Sequence, residues 1–285
     1  MKNGKRAGKY IFVLAIFCMV FLSGKMESEA ASKVKKLSVG KTYTTGLTGS
    51  KKHQVKFTYT KDSEFSYDRE ILNLYVDGKL VKRIRECAYS WDVSLCRISS
   101  KRTLICVRDC SDNDYNDCLK ILEYKNNQMT ELADLASLTR NTYGETDKIL
   151  TGWARGDLLK VSGKKLVIRW MDTGAATGMF YVDISYKISG DEISRVGNTY
   201  ALKNTKMTWI KTKWTANRNI TTYTAAGGKK KSFLIRRGEK VTGIKMTRKN
   251  GNLYFQVKNA RGKKGWFQDS TYSKGKYFEE AAFAG

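Results

Sequence analysis

The apolar residues of this chain fall in short runs that are rich in β-branched and aromatic side chains, and turn-forming residues separate the runs. This pattern is typical of β-strands. Three similar segments stand out, at residues 70–84, 118–135 and 179–196. In each, two such runs flank Asp-Gly, Asn-Asn or Ser-Gly, which tolerate the positive φ that a two-residue hairpin turn requires. Each segment is therefore predicted to be a β-hairpin in an all-β chain.

Further strands are predicted before each hairpin. They are residues 53–60, 102–109 and 165–172, preceded in the second and third cases by 91–98 and 149–161. The unit is a four-stranded antiparallel meander, and it resembles a β-propeller blade, most closely the degenerate blades of FG-GAP or integrin-α-like propellers. Three units are fewer than a propeller needs, so the resemblance implies an open stack or a partial propeller. An ordinary β-sandwich is the alternative.

The segment 208–272 has a different pattern. Its form is Gly-x-x-Val, then Gly-x-x-Tyr-x-x-Val, then Gly-Lys-x-Gly-Trp, and this resembles a bacterial SH3 domain. The matching residues are Ile220 to Tyr223, Phe233, Gly238 to Val241, Gly251 to Val257 and Gly262 to Phe267. The resemblance implies a small barrel that binds peptidoglycan or its peptides, or that serves as a spacer. We thus expect a repeated meander domain over 31–205, an SH3-like barrel over 206–275 and a tail over 276–285.

The N-terminus is predicted to be a secretory signal peptide, residues 1–30. A basic head precedes the apolar run 11–24, and small residues lead up to a cut before Ala31. The run is shorter than the roughly 20 residues that span a bilayer. An uncleaved membrane anchor is the alternative, and membrane contact is expected only in that case. The chain has no proline, so a Leu-Pro-x-Thr-Gly wall-sorting signal is excluded.

The chain is strongly basic, with a formal net charge of +26. In an exported protein this charge predicts attraction to anionic surface polymers rather than to nucleic acid. Simple solubility is the alternative. Five cysteines remain after residue 30, an odd number that leaves at least one thiol unpaired within the monomer. We expect free buried thiols, with one or two disulfides as the alternative.

Two short motifs resemble a catalytic site and a metal site. Asp109-Cys110-Ser111 resembles the nucleophile of cysteine–histidine wall peptidases, but the only histidine, His53, lies upstream, and acidic residues follow the cysteine. Asp109, Ser111, Asn113 and Asp117 fall at alternating positions that could supply calcium ligands, yet the loop has no glycine at its turn. Asp109, Asn113 and Asp117 are the candidate metal ligands. We expect no catalytic residues and no cofactor, with calcium as the weaker alternative to a solvated hairpin tip.

Basic residues crowd the C-terminal region, where residues 208–285 hold 18 Lys and Arg against 4 Asp and Glu. Aromatic side chains are interleaved with them, and such a mixture binds glycans or muropeptides by stacking and charge. The candidate ligand-binding residues are Tyr223, Lys229, Lys230, Lys231, Tyr254 and Trp266. The alternative is that Tyr254 and Trp266 belong to the core and the lysines to a solvated face.

Together these features predict a secreted, non-enzymatic protein that binds the bacterial cell wall or another anionic surface polymer. The alternatives are an enzyme of unrecognised type or a metal site in the N-terminal β domain, and a protein-docking or sensory module.

Overall fold

The computed structural model describes residues 33–64, 69–111, 118–141, 145, 147–207 and 210–283. Within these ranges the regular secondary structure is nearly all strand, arranged in several mainly antiparallel sheets with one short α-helix. The prediction of an all-β fold is confirmed. The signal peptide predicted at 1–30 lies outside the described residues. No helix in the described part of the chain is long and apolar enough to cross a membrane.

The repeated region contains three four-stranded antiparallel meanders. The first sheet is formed by β2 (Tyr43–Gly46), β3 (Lys52–Lys61), β4 (Glu70–Val76) and β5 (Lys79–Ile84). The second is formed by β6 (Ser90–Ser99), β7 (Arg102–Cys110), β8 (Leu119–Lys125) and β9 (Gln128–Asp134), and β1 (Val34–Lys36) pairs with β6. The third meander is formed by β12 (Arg155–Ser162), β13 (Lys165–Gly174), β14 (Gly178–Ser189) and β15 (Glu192–Val196). Between the second and third lie α1 (Leu135–Thr139) and the parallel pair β10 (Arg140–Asn141) and β11 (Leu150–Thr151).

The hairpin turns follow the chemistry of their residues. Asp77 and Gly78 both have positive φ, as do Asn126 and Asn127, which matches the two predicted turns. The third turn is Gly190–Asp191, one residue later than predicted, because Ser189 still pairs with Glu192. The strand β2 was not predicted, since its sequence has few apolar residues.

The second sheet lies between the first and third meanders, with both of its faces buried. Alternate residues of a strand point to opposite faces, so the sheet contributes to two cores. Its side chains in the core shared with the first sheet include Val93, Leu95, Ile105 and Val107. Those in the core shared with the third meander include Cys96, Leu104, Cys106 and Ile121. The three meanders are therefore stacked face to face. All five cysteines that the structure describes are free thiols, and Cys96, Cys106 and Cys118 are buried.

The C-terminal strands continue the sheet of the third meander. They are β16 (Thr199–Lys203), β17 (Lys213–Thr215), β18 (Ile220–Tyr223), β19 (Lys231–Ile235), β20 (Lys240–Lys249), β21 (Asn252–Asn259) and β22 (Lys264–Gln268), followed by a 3₁₀ turn (Tyr272–Lys274). The strands β18 to β22 match the segments that carry the SH3 pattern. They form an open sheet in the order β20-β21-β22-β18-β19, rather than the closed barrel that we expected. No pairing in the described ranges joins β19 to β17, and β20 instead pairs with both β16 and β17.

The residues expected to form a tail are packed into the fold as far as residue 283. Phe278 is fully buried, 5.0 Å from Trp214 and 5.6 Å from Phe267 between ring centroids. The backbone of this segment bonds to both neighbouring regions: Glu279 N–H donates to Thr215 O, and Ala282 O accepts from Met179 N–H. The segment 276–283 thus ties the C-terminal sheet to the β13–β14 hairpin.

Candidate ligand-binding face

The C-terminal sheet has one buried face and one outer face, and strand alternation decides which residues lie on each. Along β21, Leu253, Phe255 and Val257 enter the core, so Gln256 and Lys258 lie on the outer face. Because directly opposite residues of paired strands share a face, the register extends this outer face across the neighbouring strands.

One row of opposite residues crosses five strands, and we call it the aromatic row. It consists of Lys245, Gln256, Trp266, Tyr223 and Lys231 in spatial order. Tyr223 and Trp266 are half-buried, and the lysines at both ends are exposed. The row therefore places two aromatic side chains between two cations.

A second row lies beside the first, and we call it the lysine row. It consists of Lys213, Thr242, Lys258 and Lys264, on the strands β17, β20, β21 and β22. All three lysines are exposed. The two rows together contain no carboxylate, and we refer to them jointly as the lysine–aromatic face.

A local irregularity between β18 and β19 sets the position of Tyr223 in the aromatic row. The strand β18 has a register shift between Thr221 and Tyr223, and the hydroxyl of Thr222 bridges the irregularity by donating to Phe233 O at 2.6 Å and accepting from Phe233 N–H at 3.1 Å. Gly265 leaves room for this hydroxyl, because a side chain there would collide with Thr222. The bulge, in which β19 has one extra residue, thus brings Lys231 opposite Tyr223, and Tyr223 is in turn opposite Trp266 on β22.

The structure brings most of the predicted binding residues to this part of the molecule. Lys229 and Lys230 are exposed in the β18–β19 loop, next to Lys231. Tyr254 lies in the next row, opposite Gln268, but it is only 9% exposed. The same loop passes close to it, since a Cβ placed on Gly227 would lie 3.4 Å from Tyr254 Oη. Tyr254 therefore supports the loop more than it offers a stacking surface.

Six residues of the face were not among the predicted binding residues: Lys213, Thr242, Lys245, Gln256, Lys258 and Lys264. Their shared face follows from strand parity and register. Parity alone could have grouped Gln256 with Lys258, and Lys264 with Trp266. The register that joins them across strands depends on bulges in β19 and β20, which the sequence does not mark.

The predicted calcium ligands are only partly described. Asp109 is fully buried, and its Oδ1 accepts the Cys118 N–H at 2.8 Å, which closes the β7–β8 connection. Asn113 and Asp117 lie outside the described residues. Within the described ranges no group of three or more His, Cys, Asp or Glu side chains is placed to hold a metal ion. Asp109 thus has a structural partner, and the calcium hypothesis stays a prediction.

The cysteine and histidine considered for catalysis have separate surroundings. His53 Nδ1 lies 2.8 Å from Asp77 Oδ2, and its ring packs edge-on against Tyr124. Cys110 instead lies beside Arg108 and Asp92, with its Sγ 3.7 Å from Arg108 Nη2. The two side chains share no contact in the described part of the chain, so the structure does not form a cysteine–histidine pair.

The carboxylates of the meander loops also bind different partners from one another. Asp62 and Glu64 pair with Arg85, whereas Asp172 accepts hydrogen bonds from the backbone and hydroxyl of Thr151. Burial raises the pKa of Asp172 to about 6, although the bonds from Thr151 and the nearby Arg248 favour its charged form. The described loop carboxylates therefore do not converge on one site.

An ion-pair cluster between the second sheet and the third meander also consists of charges that pair with each other within the fold. Arg108 pairs with both Asp92 and Asp157, and Lys36 Nζ lies 2.5 Å from Asp92 Oδ1. Burial alone would raise the pKa of Asp92, but Lys36 and Arg108 outweigh burial and lower it. The cluster joins two sheets with its charges compensated.

Comparison of the chain with protein-family models, with curated proteins and with solved structures gave no match.

Proposed function

We propose that this chain is an exported, non-enzymatic protein that binds anionic polymers of the bacterial cell wall through the lysine–aromatic face. The observation that carries the proposal is the composition of the two rows. Five lysines, two aromatic side chains, one Gln and one Thr share one outer surface without a carboxylate.

Charge supports the same proposal. The region 208–285 has 18 basic and 4 acidic residues, and two of the acids are engaged within the fold. Asp269 accepts the backbone N–H groups of Ala175 and Ala176, and Glu280 binds Thr215. Glu280 keeps its negative charge and lines the same depression as Lys213 and Lys258, so compensation is concentrated at that edge of the face. The large excess of basic residues leaves a net positive charge, which attracts polyanions over the roughly 8 Å allowed by physiological salt.

The face also suits a repeating polymer. A sheet surface with cations spaced across several strands contacts many anionic groups at once, and each contact is weak alone. Tyr223 and Trp266 add flat apolar surface between the cations, which is the arrangement that stacks on sugar rings. Binding of this kind needs no enclosed active site.

The proposal is tested by sedimentation of the purified protein with peptidoglycan that does or does not carry teichoic acid, over a series of salt concentrations. We expect binding to the teichoic-acid form to fall steeply as salt rises. Lys229→Glu, Lys230→Glu and Lys231→Glu combined should weaken low-salt binding at least tenfold. The reversal should change stability by no more than about 0.5 kcal/mol, because all three side chains are exposed.

The matched control reverses three exposed lysines on the β12–β13 hairpin: Lys160, Lys164 and Lys165. This variant has the same net charge but leaves the C-terminal region intact, so we expect less than a threefold change. Equal loss in both variants would mean that net charge alone drives adhesion. Absence of binding at low salt would assign the C-terminal region to a spacer or protein-docking role.

A further inference from the structure

A separate cavity lies between the first and second sheets, about 390 Å³ in volume. Its walls come from β2 and the start of β3 on one side, and from β1, β6 and β7 on the other. The strands β1 and β2 are the edge strands of their sheets, so the cavity opens at the rim of the stack. Its volume lies within the range of small-molecule sites.

Four cationic side chains line this cavity: Lys33, Lys35, Lys52 and Arg97. None of the described residues that line it is acidic. Lys35 lies over the Tyr43 ring, with its Nζ 4.8 Å from the ring centroid. Lys33, Lys52 and Arg97 form no ion pair with any residue in the described ranges. This differs from Arg85, Arg102 and Arg108 of the same meanders, each of which is paired with a carboxylate.

The register explains why these charges gather. Lys35 is opposite Leu95 on β6, and Arg97 is opposite Thr103 on β7. Leu95 belongs to the core shared with the first sheet, so its row faces that sheet, and Arg97 lies on the same face two residues further along β6. Lys52 lines the cavity from the first sheet, opposite Gly46, which has no side chain. Because Lys52 alternates with the buried His53 and Val55, it contributes at the open rim of the cavity and not from the wall between the sheets.

The inner wall offers a neutral hydrogen-bonding group. Thr103 is 4% exposed and lines the cavity, and its hydroxyl has no hydrogen-bond partner among the described residues. A guanidinium fork, three ammonium groups and a hydroxyl around one concave space match the several oxygens and multiple charge of an oxyanion. A cleft with low-dielectric walls also concentrates the field of these cations.

We propose that this cavity binds a phosphate group, held by Lys33, Lys35, Lys52 and Arg97 with Thr103 at its inner wall. The site is independent of the lysine–aromatic face, since it is built from the first two sheets. The phosphate can be a terminal group of a small molecule or a diester within a polymer, and both share the oxyanion chemistry that the cavity recognises.

The test is calorimetric titration of the purified protein at low salt with inorganic pyrophosphate and, separately, with glycerophosphoglycerol. Saturable 1:1 binding of pyrophosphate alone assigns the site to terminal phosphates, and saturable binding of the diester assigns it to phosphodiesters. Lys52→Gln combined with Arg97→Gln should weaken binding at least tenfold. Arg97→Lys, which keeps the charge and removes the fork, should weaken it by a smaller factor.

The control is Lys187→Gln combined with Arg261→Gln, which removes the same charge from exposed positions elsewhere. It should change affinity less than twofold, as should the reversal of Lys229, Lys230 and Lys231. Failure of both probes to saturate, or equal weakening by the control, would overturn the proposal. Because the reversal at Lys229 to Lys231 leaves this site intact, the phosphate site and the proposed wall binding can fail separately.

Discussion

The second sheet and the C-terminal sheet are both built from antiparallel hairpins, yet they differ in what their two faces contact. The second sheet is covered on both faces, by the first sheet and by the third meander. Among the described residues, the C-terminal sheet is covered on one face only, and its other face carries the aromatic and lysine rows. Alternating side chains thus give two cores in one case and a core with a charged surface in the other. The difference shows that the same hairpin architecture can leave a sheet buried on both faces or open to solvent on one.

The largest effect expected from this comparison is on stability. Leu104 is fully buried in the second sheet, whereas Leu234 is 48% exposed on β19. Leu104→Ala should lower the free energy of unfolding by about 2–5 kcal/mol, because it leaves a cavity in a packed core. The same substitution at Leu234 should cost no more than about 0.5 kcal/mol.

Urea unfolding followed by tryptophan fluorescence measures both variants on one scale. Similar losses at the two positions would contradict the assignment of one sheet as buried on both faces and the other as exposed on one.

A buried carboxylate of the third meander, Asp172, lies near Arg248 of the C-terminal sheet and should make the stability of the fold depend on pH. Burial raises the pKa of Asp172 to about 6 from an ordinary value of 3.8. The folded chain therefore binds more protons than the unfolded chain between these values, and stability rises as pH falls. Lowering the pH from 7 to 5 should add about 1 kcal/mol from this group. Unfolding curves at several pH values check this gain.

The control for that measurement is Asp172→Asn, which cannot ionise. It should lack the gain between pH 7 and 5, whatever its absolute stability. An unchanged gain in this variant would assign the pH dependence to other groups.

The smallest expected effect separates stacking from charge on the outer face. Trp266→Ala should reduce wall binding roughly fivefold, corresponding to about 1 kcal/mol of aromatic contact. The steepness of the salt dependence should stay the same, because no charge is removed. Sedimentation at two salt concentrations measures both quantities. Trp153→Ala, at a tryptophan that is 69% exposed outside the face, should leave binding unchanged. An altered salt dependence in the Trp266 variant would contradict the separation.

Local chemistry made the strands predictable. Asp77-Gly78 and Asn126-Asn127 identified two hairpins because these residues tolerate positive φ. The third turn was misplaced by one residue because Ser189-Gly190 and Gly190-Asp191 are both acceptable turn pairs. The strand β16 joins the third meander to the C-terminal sheet by pairing with both β14 and β20. This role could not be predicted, because the residues of a strand do not reveal which strands it pairs with.

The sites were predictable only where neighbours in sequence are also neighbours in space. Lys229 to Lys231 could be identified as a basic run. The grouping of Lys33, Lys52 and Arg97 could not, because it depends on how two separate sheets stack. The open C-terminal sheet was missed for a related reason: the SH3 pattern specifies local strands and turns, whereas closure depends on what else pairs with β20.

Because Phe278 packs against residues that precede it in the chain, it also affects the order in which the fold assembles. A chain is synthesised from its N-terminus onward, so the three meanders are available before residues 276–283. Until those residues arrive, Trp214 and Phe267 lack the aromatic ring that covers them, and the β13–β14 hairpin lacks its bond from Met179 N–H to Ala282 O. Final assembly of the C-terminal sheet therefore waits for residues 276–283, which are synthesised after all the strands that they pack against.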